Sequence, residues 1–385
     1  GHKLVYAAFI RFDMSGACIK CNGEKGPVAV KIRKDDPPLC RPCFLAGCVH
    51  KFRSAFGKNN AVRSGEPVVL AYSGGISSSA LLELTKLCLA NAERRKLRFR
   101  PTVVCIYDYN KPFPSRQEEL LKQSGFSYKI YRSDELLEPS NQFSRLLPQL
   151  ENCGSHDSPV SNSALTAAED ASRWSRYLQL ALAARKLDHK YVLVGDNATQ
   201  LAADCLSSIA LGRGGSVATQ LAFSDSRYGD VTFLRPLYDF LANEVVYLLR
   251  FSGLSPVIEP TLTVQQTLSR GPGLNSIQRL TSDFISSLQF GGFPSTCKAV
   301  LSAASKTLAD HTEEVSRCSL CYAPLSQLNS SQEATALASF RHSLWLTRTS
   351  DSTAEYPPPD RPQSGAVCES CVINQTDLAP YLTLP

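Results

Sequence analysis

Short runs of apolar, β-branched residues alternate along this chain with longer stretches in which leucine and alanine recur at helical spacing. The short runs predict strands at residues 68–71, 101–107, 126–131, 191–194 and 231–234. The longer stretches predict helices at residues 77–92, 115–124, 166–186, 198–211 and 242–251. Strands that alternate with helices form a mostly parallel sheet covered by helices on both faces. The pattern therefore predicts an α/β fold with a doubly wound parallel sheet, whose ligands bind at the carboxyl ends of the strands.

One predicted helix carries a start signal of its own. Thr166 is followed three residues later by Glu169. A hydroxyl side chain and a carboxylate at this spacing form a capping box, which satisfies the exposed N–H groups of a first helical turn. We therefore expect this helix to begin at Thr166.

The first predicted strand ends in a glycine-rich turn, Ser73-Gly74-Gly75, which leads directly into a helix. Such a turn places backbone N–H groups and the helix dipole where they can hold a phosphate. The turn is not a Walker A loop, because the Gly-Lys-Ser/Thr ending is missing. The candidate nucleotide-binding residues are those of this loop and those that follow two other predicted strands: Ser73, Gly74, Gly75, Ser78, Ser79, Asp108, Gly195 and Asp196.

Eight of the fourteen cysteines form four Cys-x-x-Cys pairs. The first two pairs, separated by eighteen residues, are Cys18 with Cys21 and Cys40 with Cys43; the last two are Cys318 with Cys321 and Cys368 with Cys371. Two such pairs close a tetrahedral four-thiolate site, so the spacing predicts two structural zinc ions. Redox-active pairs are the alternative, although four of them would be unusual in a reducing compartment.

Composition and charge narrow the class of protein. No apolar run reaches the ~18–20 residues of a membrane span, so we expect no membrane association. The first 63 residues hold twelve Lys/Arg against four Asp/Glu, while the whole chain has a net charge of +6. A basic module on a near-neutral body suits a polyanion such as RNA, with ordinary solvated surface lysines as the alternative. Met14 is the only methionine, and we interpret residues 1–13 as a leader or gene-model remnant rather than a signal peptide.

These features divide the chain into three predicted modules. An N-terminal zinc-binding module occupies residues 14–60, the α/β domain occupies residues 61–300, and a C-terminal zinc-binding module with a Ser/Thr/Pro-rich insert occupies residues 301–385. Both zinc modules are expected to be of the zinc-ribbon type.

In this order, the motifs resemble the cytoplasmic tRNA 2-thiolation protein 2 family. Besides the cysteine pairs, the residues that carry the resemblance are 50–53 (His-Lys-Phe-Arg), 73–79 (Ser-Gly-Gly-Ile-Ser-Ser-Ser), 165–169 (Leu-Thr-Ala-Ala-Glu), 195–197 (Gly-Asp-Asn), 211–214 (Leu-Gly-Arg-Gly), 223–230 (Phe-Ser-Asp-Ser-Arg-Tyr-Gly-Asp) and 235–237 (Arg-Pro-Leu). The resemblance implies a sheet of the pyrophosphate-loop ATPase, or adenine nucleotide alpha hydrolase-like, type.

The resemblance also implies a function. Members of the family form a cytoplasmic heterodimer with a catalytic sister subunit of the cytoplasmic tRNA 2-thiolation protein 1 type. That complex adenylates the wobble uridine of the tRNAs for lysine, glutamate and glutamine, and then replaces its 2-oxygen with sulfur. The sulfur comes from a thiocarboxylated ubiquitin-related modifier.

The chain departs from the catalytic pattern at the positions where chemistry would be done. Ile76 and Ser77 stand where active loops have lysine and aspartate, and Asp196 replaces a histidine. Neither 161–170 nor 239–270 contains a cysteine, which leaves Cys153 as a weak candidate for carrying sulfur. We therefore predict a degenerate subunit with no catalytic residue, and the sequence leaves open whether its loop binds ATP.

Such a subunit would hold tRNA and stabilise its sister. The expected tRNA contacts are Lys51, Arg53, Lys58 and Arg213, although Arg213 could equally be a charge that complements a helix C-terminus. Two alternatives remain: a self-sufficient ATP-dependent tRNA sulfurtransferase or nucleotidyltransferase, and a zinc-ribbon RNA-binding scaffold without a nucleotide function.

Overall fold

The computed structural model describes residues 16–33, 36–90, 98–107, 113–137, 161–256, 275–293, 295–306, 316–325 and 367–378. Its strands are β1 (Val28–Val30), β2 (Leu39–Cys40), β3 (Pro67–Ala71), β4 (Arg100–Tyr107), β5 (Ser127–Arg132), β6 (Tyr191–Leu193), β7 (Ser224–Tyr228) and β8 (Val231–Leu234). Its α-helices are α1 (Arg41–Asn59), α2 (Ile76–Ala90), α3 (Ser115–Ser124), α4 (Ser133–Leu136), α5 (Asn162–Lys186), α6 (Ala198–Ala210), α7 (Val217–Leu221), α8 (Ala242–Ser252), α9 (Ile277–Phe290), α10 (Thr296–Ser305) and α11 (Glu369–Leu378).

The central sheet has six strands in the order β5-β4-β3-β6-β8-β7. All neighbouring strands are parallel except β7, which runs antiparallel to β8 at one edge. The chain leaves β3 toward β4 on one side, and β6 later joins β3 on the other side. Strand order thus reverses between β3 and β6, and a crevice opens at such a switch point beyond the carboxyl ends of the strands.

Both faces of the sheet are covered, as the sequence pattern predicts. Along β3, Val68 and Leu70 face a core that includes Leu81 and Leu84 of α2. Val69 points to the opposite face, into a core with Ala181 of α5. All six side chains are fully buried, and complete burial of a Val or Leu contributes about 1.5–3 kcal/mol. Alternate residues of one strand therefore anchor the two helical layers.

The N-terminal module is packed firmly on the α/β domain. Phe44 of α1 makes an edge-to-face contact with Phe251 of α8, at a centroid distance of 5.6 Å. Lys51 of α1 forms a 2.9 Å ion pair with Glu244 of α8, and the side chain of Asn243 donates to the backbone carbonyl of Ile32. These contacts fix the first cysteine cluster relative to the sheet.

The start of α5 differs from the prediction. The helix begins at Asn162, and its N-cap is Ser161, whose hydroxyl accepts from the Ala164 N–H. Thr166 and Glu169 instead hold the start of α9: Thr166 Oγ1 accepts from the Ile277 N–H, and Glu169 accepts from the Ser276 hydroxyl. A tertiary partner thus uses the side chains that would otherwise have capped α5.

Several elements, among them β7 and α9, were not predicted from the sequence. The edge strand β7 has the sequence Ser-Asp-Ser-Arg-Tyr, which lacks the apolar alternation of a half-buried strand. The helix α9 packs on α6 with a narrow apolar side in which Ile285 alone is fully buried. None of the helices in the described ranges is both long and apolar enough to cross a bilayer.

Candidate functional site

The Ser-Gly-Gly loop lies at the switch point of the sheet, between the end of β3 and the start of α2. Gly74 has a φ of 77°, in the left-handed region that favours glycine. A Cβ on Gly74 would also stand 2.5 Å from Nε2 of Gln117, which is buried on α3. The backbone conformation therefore favours glycine here, and the Gln117 side chain would have to move to admit a Cβ.

The loop hydroxyls are hydrogen-bonded within the loop. Ser78 Oγ accepts from the Ser73 N–H at 3.3 Å, lies 3.2 Å from Ser73 Oγ and donates to the Gly75 carbonyl at 3.1 Å. Ser79 Oγ donates to the Gly74 carbonyl at 3.3 Å. Ser78 and Ser79 are buried, whereas Ser73 is exposed. The predicted phosphate ligands are thus brought together, but their hydroxyls bond to the loop itself.

A second loop, after β6, approaches the first one closely. A Cβ on Gly195 would meet the backbone of Ser77 at 2.9 Å, so only glycine allows the two loops this contact. The Asn197 side chain donates to Ser77 Oγ at 3.0 Å, and Ser77 Oγ donates to Gln200 at 3.2 Å. Ser77, which stands where active loops have a carboxylate, therefore joins the two sides of the crevice. Asp108, the remaining candidate, lies outside the described residues.

Asp196 points into a buried ionic network. Its carboxylate accepts from Arg235 Nε at 3.1 Å and from the Tyr177 hydroxyl at 2.5 Å. Arg235 is 1% exposed and also contacts the buried carboxylate of Asp225 at 3.2 Å. Burial, followed by the charge of Asp196, raises the pKa of Tyr177 to about 12, so the phenol stays protonated and donates to Asp196. Asp196, which stands where the catalytic pattern has a histidine, is therefore part of an ionic network that stabilises the fold.

The network continues to the C-terminal cysteine cluster. Arg227 makes a two-pronged contact with Asp225, at 2.9 and 2.8 Å, and donates to the Cys321 carbonyl at 2.9 Å. Burial alone would raise the pKa of Asp225, but Arg227 and then Arg235 outweigh that effect and lower it. The neighbouring Tyr228 stacks on Tyr322 at a centroid distance of 4.6 Å. Buried charges and stacked rings therefore join the crevice to the second cluster.

The N-terminal cluster sits where the small β1–β2 sheet leads into α1. Cys18, Cys21, Cys40 and Cys43 are all buried. A tight turn at residues 18–22 holds the first pair, with the Asn22 N–H donating to the Cys18 carbonyl at 2.7 Å. Cys40 ends β2, and Cys43 lies in the first turn of α1. The predicted set is thus brought together at one point.

The C-terminal cluster joins residues from segments that are 47 positions apart in the chain. Cys318 and Cys321 lie in a turn, while Cys368 immediately precedes α11 and Cys371 lies in its first turn. The Cys368 N–H donates to Cys318 Sγ at 3.3 Å, the kind of outer hydrogen bond that orients a thiolate ligand. Asn374 of α11 donates to Asp170 of α5 at 3.1 Å, which fixes the cluster on the domain.

Both clusters have the dimensions expected for a site in which four sulfur atoms surround one ion as a tetrahedron. Metal–sulfur bonds of about 2.3 Å in a tetrahedron place the sulfur atoms about 3.8 Å apart. Cys21 Sγ and Cys40 Sγ are 3.6 Å apart, and Cys321 Sγ and Cys368 Sγ are 3.7 Å apart. Within each cluster all four sulfur atoms lie within 4.8 Å of one another. Each donor set therefore fits one metal ion.

Comparison with known proteins agrees with this architecture. The family model of cytoplasmic tRNA 2-thiolation protein 2 matches residues 276–374, from the start of α9 to α11. Cytoplasmic tRNA 2-thiolation protein 2-A of Xenopus laevis is 29% identical over 380 residues, covering 80% of this chain and 72% of that protein. Cytoplasmic tRNA 2-thiolation protein 2 of Homo sapiens is 27% identical, and the alignment covers 96% of this chain and 88% of that protein.

The chain is thus similar to the cytoplasmic tRNA 2-thiolation protein 2 family over most of its length. This confirms the resemblance seen in the sequence, and the relatives' names agree with the expected cytoplasmic location. Among solved structures, the U34-tRNA thiolase NcsA from Methanococcus maripaludis, with its 4Fe-4S cluster, aligns with a TM-score of 0.56 at 15% identity. The alignment covers 78% of this chain and 90% of NcsA, and it supports the predicted sheet type.

The four predicted tRNA contacts have different surroundings. Lys51 is paired with Glu244, and its ammonium lies 4.6 Å from the centroid of the Phe240 ring. Arg53 donates to the Cys88 carbonyl at 2.9 Å. Arg213 is 8% exposed and pairs with Asp170 at 2.6 Å. Lys58 is exposed in the last turn of α1. Three of the four cations thus have intramolecular partners, and their role in RNA binding stays a prediction.

The sequence reasoning assigned no role to Asp225, Arg227 or Arg235 beyond their place in the family motifs. One signal was available: Asp225 and Arg227 are two residues apart in a strand, so they lie on the same face. The third member could not have been found this way, because Arg235 reaches Asp225 only after β7 and β8 pair.

Proposed function

We propose that this chain is the non-catalytic, tRNA-holding subunit of the complex that 2-thiolates the wobble uridine of cytoplasmic tRNAs. It acts with a catalytic sister subunit of the cytoplasmic tRNA 2-thiolation protein 1 type, and a thiocarboxylated ubiquitin-related modifier supplies the sulfur. The similarity to this family supports a role in tRNA thiolation. We propose that the chain performs this role with three modules, at residues 14–60, 61–300 and 301–385.

The residues and hydrogen bonds of the Ser-Gly-Gly loop support the proposal that this subunit is non-catalytic. Ile76 offers no cation for a phosphate, and Ser77 is hydrogen-bonded to Asn197 and Gln200 across the crevice. An adenylating site needs charge aimed at the leaving pyrophosphate, as lysine and Mg²⁺ provide in phosphoryl transfer. We therefore propose that the nucleotide-binding site is degenerate, and ATP binding is the activity to measure. The residues of this site are Ser73, Gly74, Gly75, Ser78, Ser79, Asp108, Gly195 and Asp196.

Each cysteine cluster is proposed to hold one zinc ion. Four thiolates at tetrahedral spacing suit zinc, which in such closed sites stabilises the fold. A four-iron cluster would bind its cysteines on separate iron atoms and spread them around the cluster, whereas the sulfur atoms here all lie within 4.8 Å of one another. The cluster named for NcsA is thus not expected at either site.

The test is complementation in cells that lack the homologous subunit, with wobble thiolation measured by mass spectrometry of digested tRNA. We expect the wild-type chain and the loop variant Ser73→Ala to restore thiolation equally. A matched in vitro assay uses the purified chain with and without its sister subunit. Adenylation or thiolation by this chain alone, abolished by Ser73→Ala, would establish the self-sufficient enzyme instead.

A further inference from the structure

A group of exposed cations lies at the opposite end of the strands from the crevice. Lys58 and Arg63 follow one another at the end of α1 and in the turn before β3, while Arg98 and Arg100 lie at the start of β4; all four are exposed. We call these four residues the amino-edge surface. Two chain segments about forty residues apart contribute to it, so the sequence alone does not show it.

Backbone pairing holds the two segments side by side. Pro67 at the start of β3 pairs with Arg100, and the Arg100 N–H donates to the Glu66 carbonyl at 2.9 Å. Arg100 Nε donates to the Gly65 carbonyl at 3.0 Å, which orients the guanidinium. The surface is therefore part of the rigid sheet edge rather than a set of independent side chains.

A buried aromatic contact supports the surface from below. Phe56 of α1 and Phe99 are both buried, with ring centroids 5.5 Å apart. Phe56 lies two residues before Lys58, and Phe99 lies between Arg98 and Arg100, so this contact holds the end of α1 against the segment that leads into β4. Glu66 is the carboxylate placed beside them, and it accepts from the Arg63 N–H at 2.9 Å. Among the described residues here, Lys58, Arg63 and Arg100 are exposed and the Glu66 carboxylate beside Arg63 is half-buried, so the surface is positive.

We infer that the amino-edge surface binds the phosphate backbone of tRNA. This inference rests on the proposed function and names the surface through which the chain holds its RNA. Fixed arginine and lysine side chains at a surface neutralise phosphates without reading bases, which suits a subunit that positions tRNA for a partner. The RNA would be held at the end of the strands away from the crevice, so holding RNA does not require the degenerate loop.

The experiment compares two double variants with the same change in charge. Lys58→Glu with Arg63→Glu reverses two cations of the amino-edge surface, and Lys298→Glu with Lys306→Glu reverses two exposed lysines on and just after α10. Binding of an unmodified tRNA transcript with uridine at the wobble position is measured by fluorescence anisotropy over a series of salt concentrations. Thermal unfolding checks that both variants are folded.

We expect the amino-edge variant to bind tRNA at least about tenfold more weakly and to lose about 2 from the slope of log affinity against log salt. The α10 variant should retain the wild-type slope within experimental error. The milder pair Lys58→Gln with Arg63→Gln should show the same loss of slope with a smaller loss of affinity. Equal weakening by both Glu pairs would show a general charge effect and would overturn the assignment.

The complementation assay separates this inference from the proposed function. If the wild-type chain restores thiolation but the amino-edge variant binds tRNA as tightly as the wild type does, only the surface assignment is wrong. If the wild-type chain fails to restore thiolation, the proposed function is wrong, whatever the RNA affinity.

Discussion

The Ser-Gly-Gly loop and the C-terminal cysteine cluster are both tight turns in which polar side chains converge, but these side chains have different partners. In the loop, Ser78 Oγ bonds to Ser73 and to the Gly75 carbonyl, and Ser77 Oγ bonds to the loop after β6. In the cluster, four sulfur atoms face one another within 4.8 Å. Thiols are weak donors and weak acceptors, so they do not satisfy one another as hydroxyls do.

The difference indicates which inherited site still needs a ligand. A serine hydroxyl both donates and accepts, so a loop that contains no cation can close on its own backbone at little cost. A buried set of four cysteines is stabilised chiefly by a metal ion, which couples its binding free energy to folding. We therefore expect this protein to depend for stability on metal bound at its cysteine clusters, and to depend little on its Ser-Gly-Gly loop.

The largest expected effect is loss of the C-terminal metal. In Cys371→Ser, metal content measured by mass spectrometry should fall from about two ions per chain to about one, and thermal stability should fall sharply, because structural zinc contributes on the order of 10 kcal/mol or more to folding. Cys205→Ser, which changes a buried cysteine outside both clusters, is the control and should keep both ions. Retention of two ions in Cys371→Ser would contradict the cluster as a metal site.

The next largest effect should come from Asp225, which joins the crevice to that cluster. Asp225→Ala leaves the guanidinium groups of Arg227 and Arg235 buried without their shared carboxylate, and breaking such a pair costs about 3–5 kcal/mol. Urea unfolding measures this loss. Asp230, an exposed partner of Arg185, is the matched control, and Asp230→Ala should cost about 1 kcal/mol or less. Similar losses for both variants would show that the network is not a special support.

The same carboxylate should make stability depend on pH. The pKa of Asp225 is lower in the folded chain than its usual value of about 3.9. Its ionised form therefore stabilises the fold at pH values above about 4, and this contribution is lost as the pH falls through the lower folded pKa. We expect the difference in unfolding free energy between wild type and Asp225→Asn to shrink below about pH 4. A difference that stays constant down to acid pH would exclude this linkage.

The smallest expected effect concerns the link between the two loops of the crevice. A double-mutant cycle of Ser77→Ala and Asn197→Ala, followed by urea unfolding, should give a coupling energy of about 0.5–1 kcal/mol for their hydrogen bond. Ser161→Ala, which removes the N-cap of α5, should give no coupling when it is paired with Ser77→Ala. Additive effects of Ser77→Ala and Asn197→Ala would show that the loops are not joined in solution.

Much of the fold could be predicted because its signals are local. Helix α3 and strand β8 have the predicted bounds, and the predicted strands at residues 68–71 and 191–194 differ from β3 and β6 by one residue. Apolar periodicity and glycine-rich turns act over a few neighbours, so they are visible in one chain. The start of α5 was placed wrongly because Thr166 has a partner in Ile277, more than one hundred residues away.

The sequence predicted which residues make up the candidate site but not which hydrogen bonds these residues form. The spacing of the cysteine pairs predicted the residues of both clusters, because two Cys-x-x-Cys turns supply the four ligands of one tetrahedrally coordinated ion. The serines of the loop were named as phosphate ligands, but whether their hydroxyls face a ligand or the backbone depends on how the turn closes. Cys153, the weak candidate for sulfur handling, lies outside the described residues.

The sequence by itself determined the strand–helix alternation, the two metal-binding cysteine sets and the substitutions at Ile76, Ser77 and Asp196. Only the tertiary structure decided which charges became internal and which stayed on the surface. It buried Asp225 between Arg227 and Arg235, paired Lys51 with Glu244 and left Lys58 exposed in the last turn of α1. The physical reason is that the energy of a charge depends on its burial and its neighbours, and both are set by contacts between distant parts of the chain.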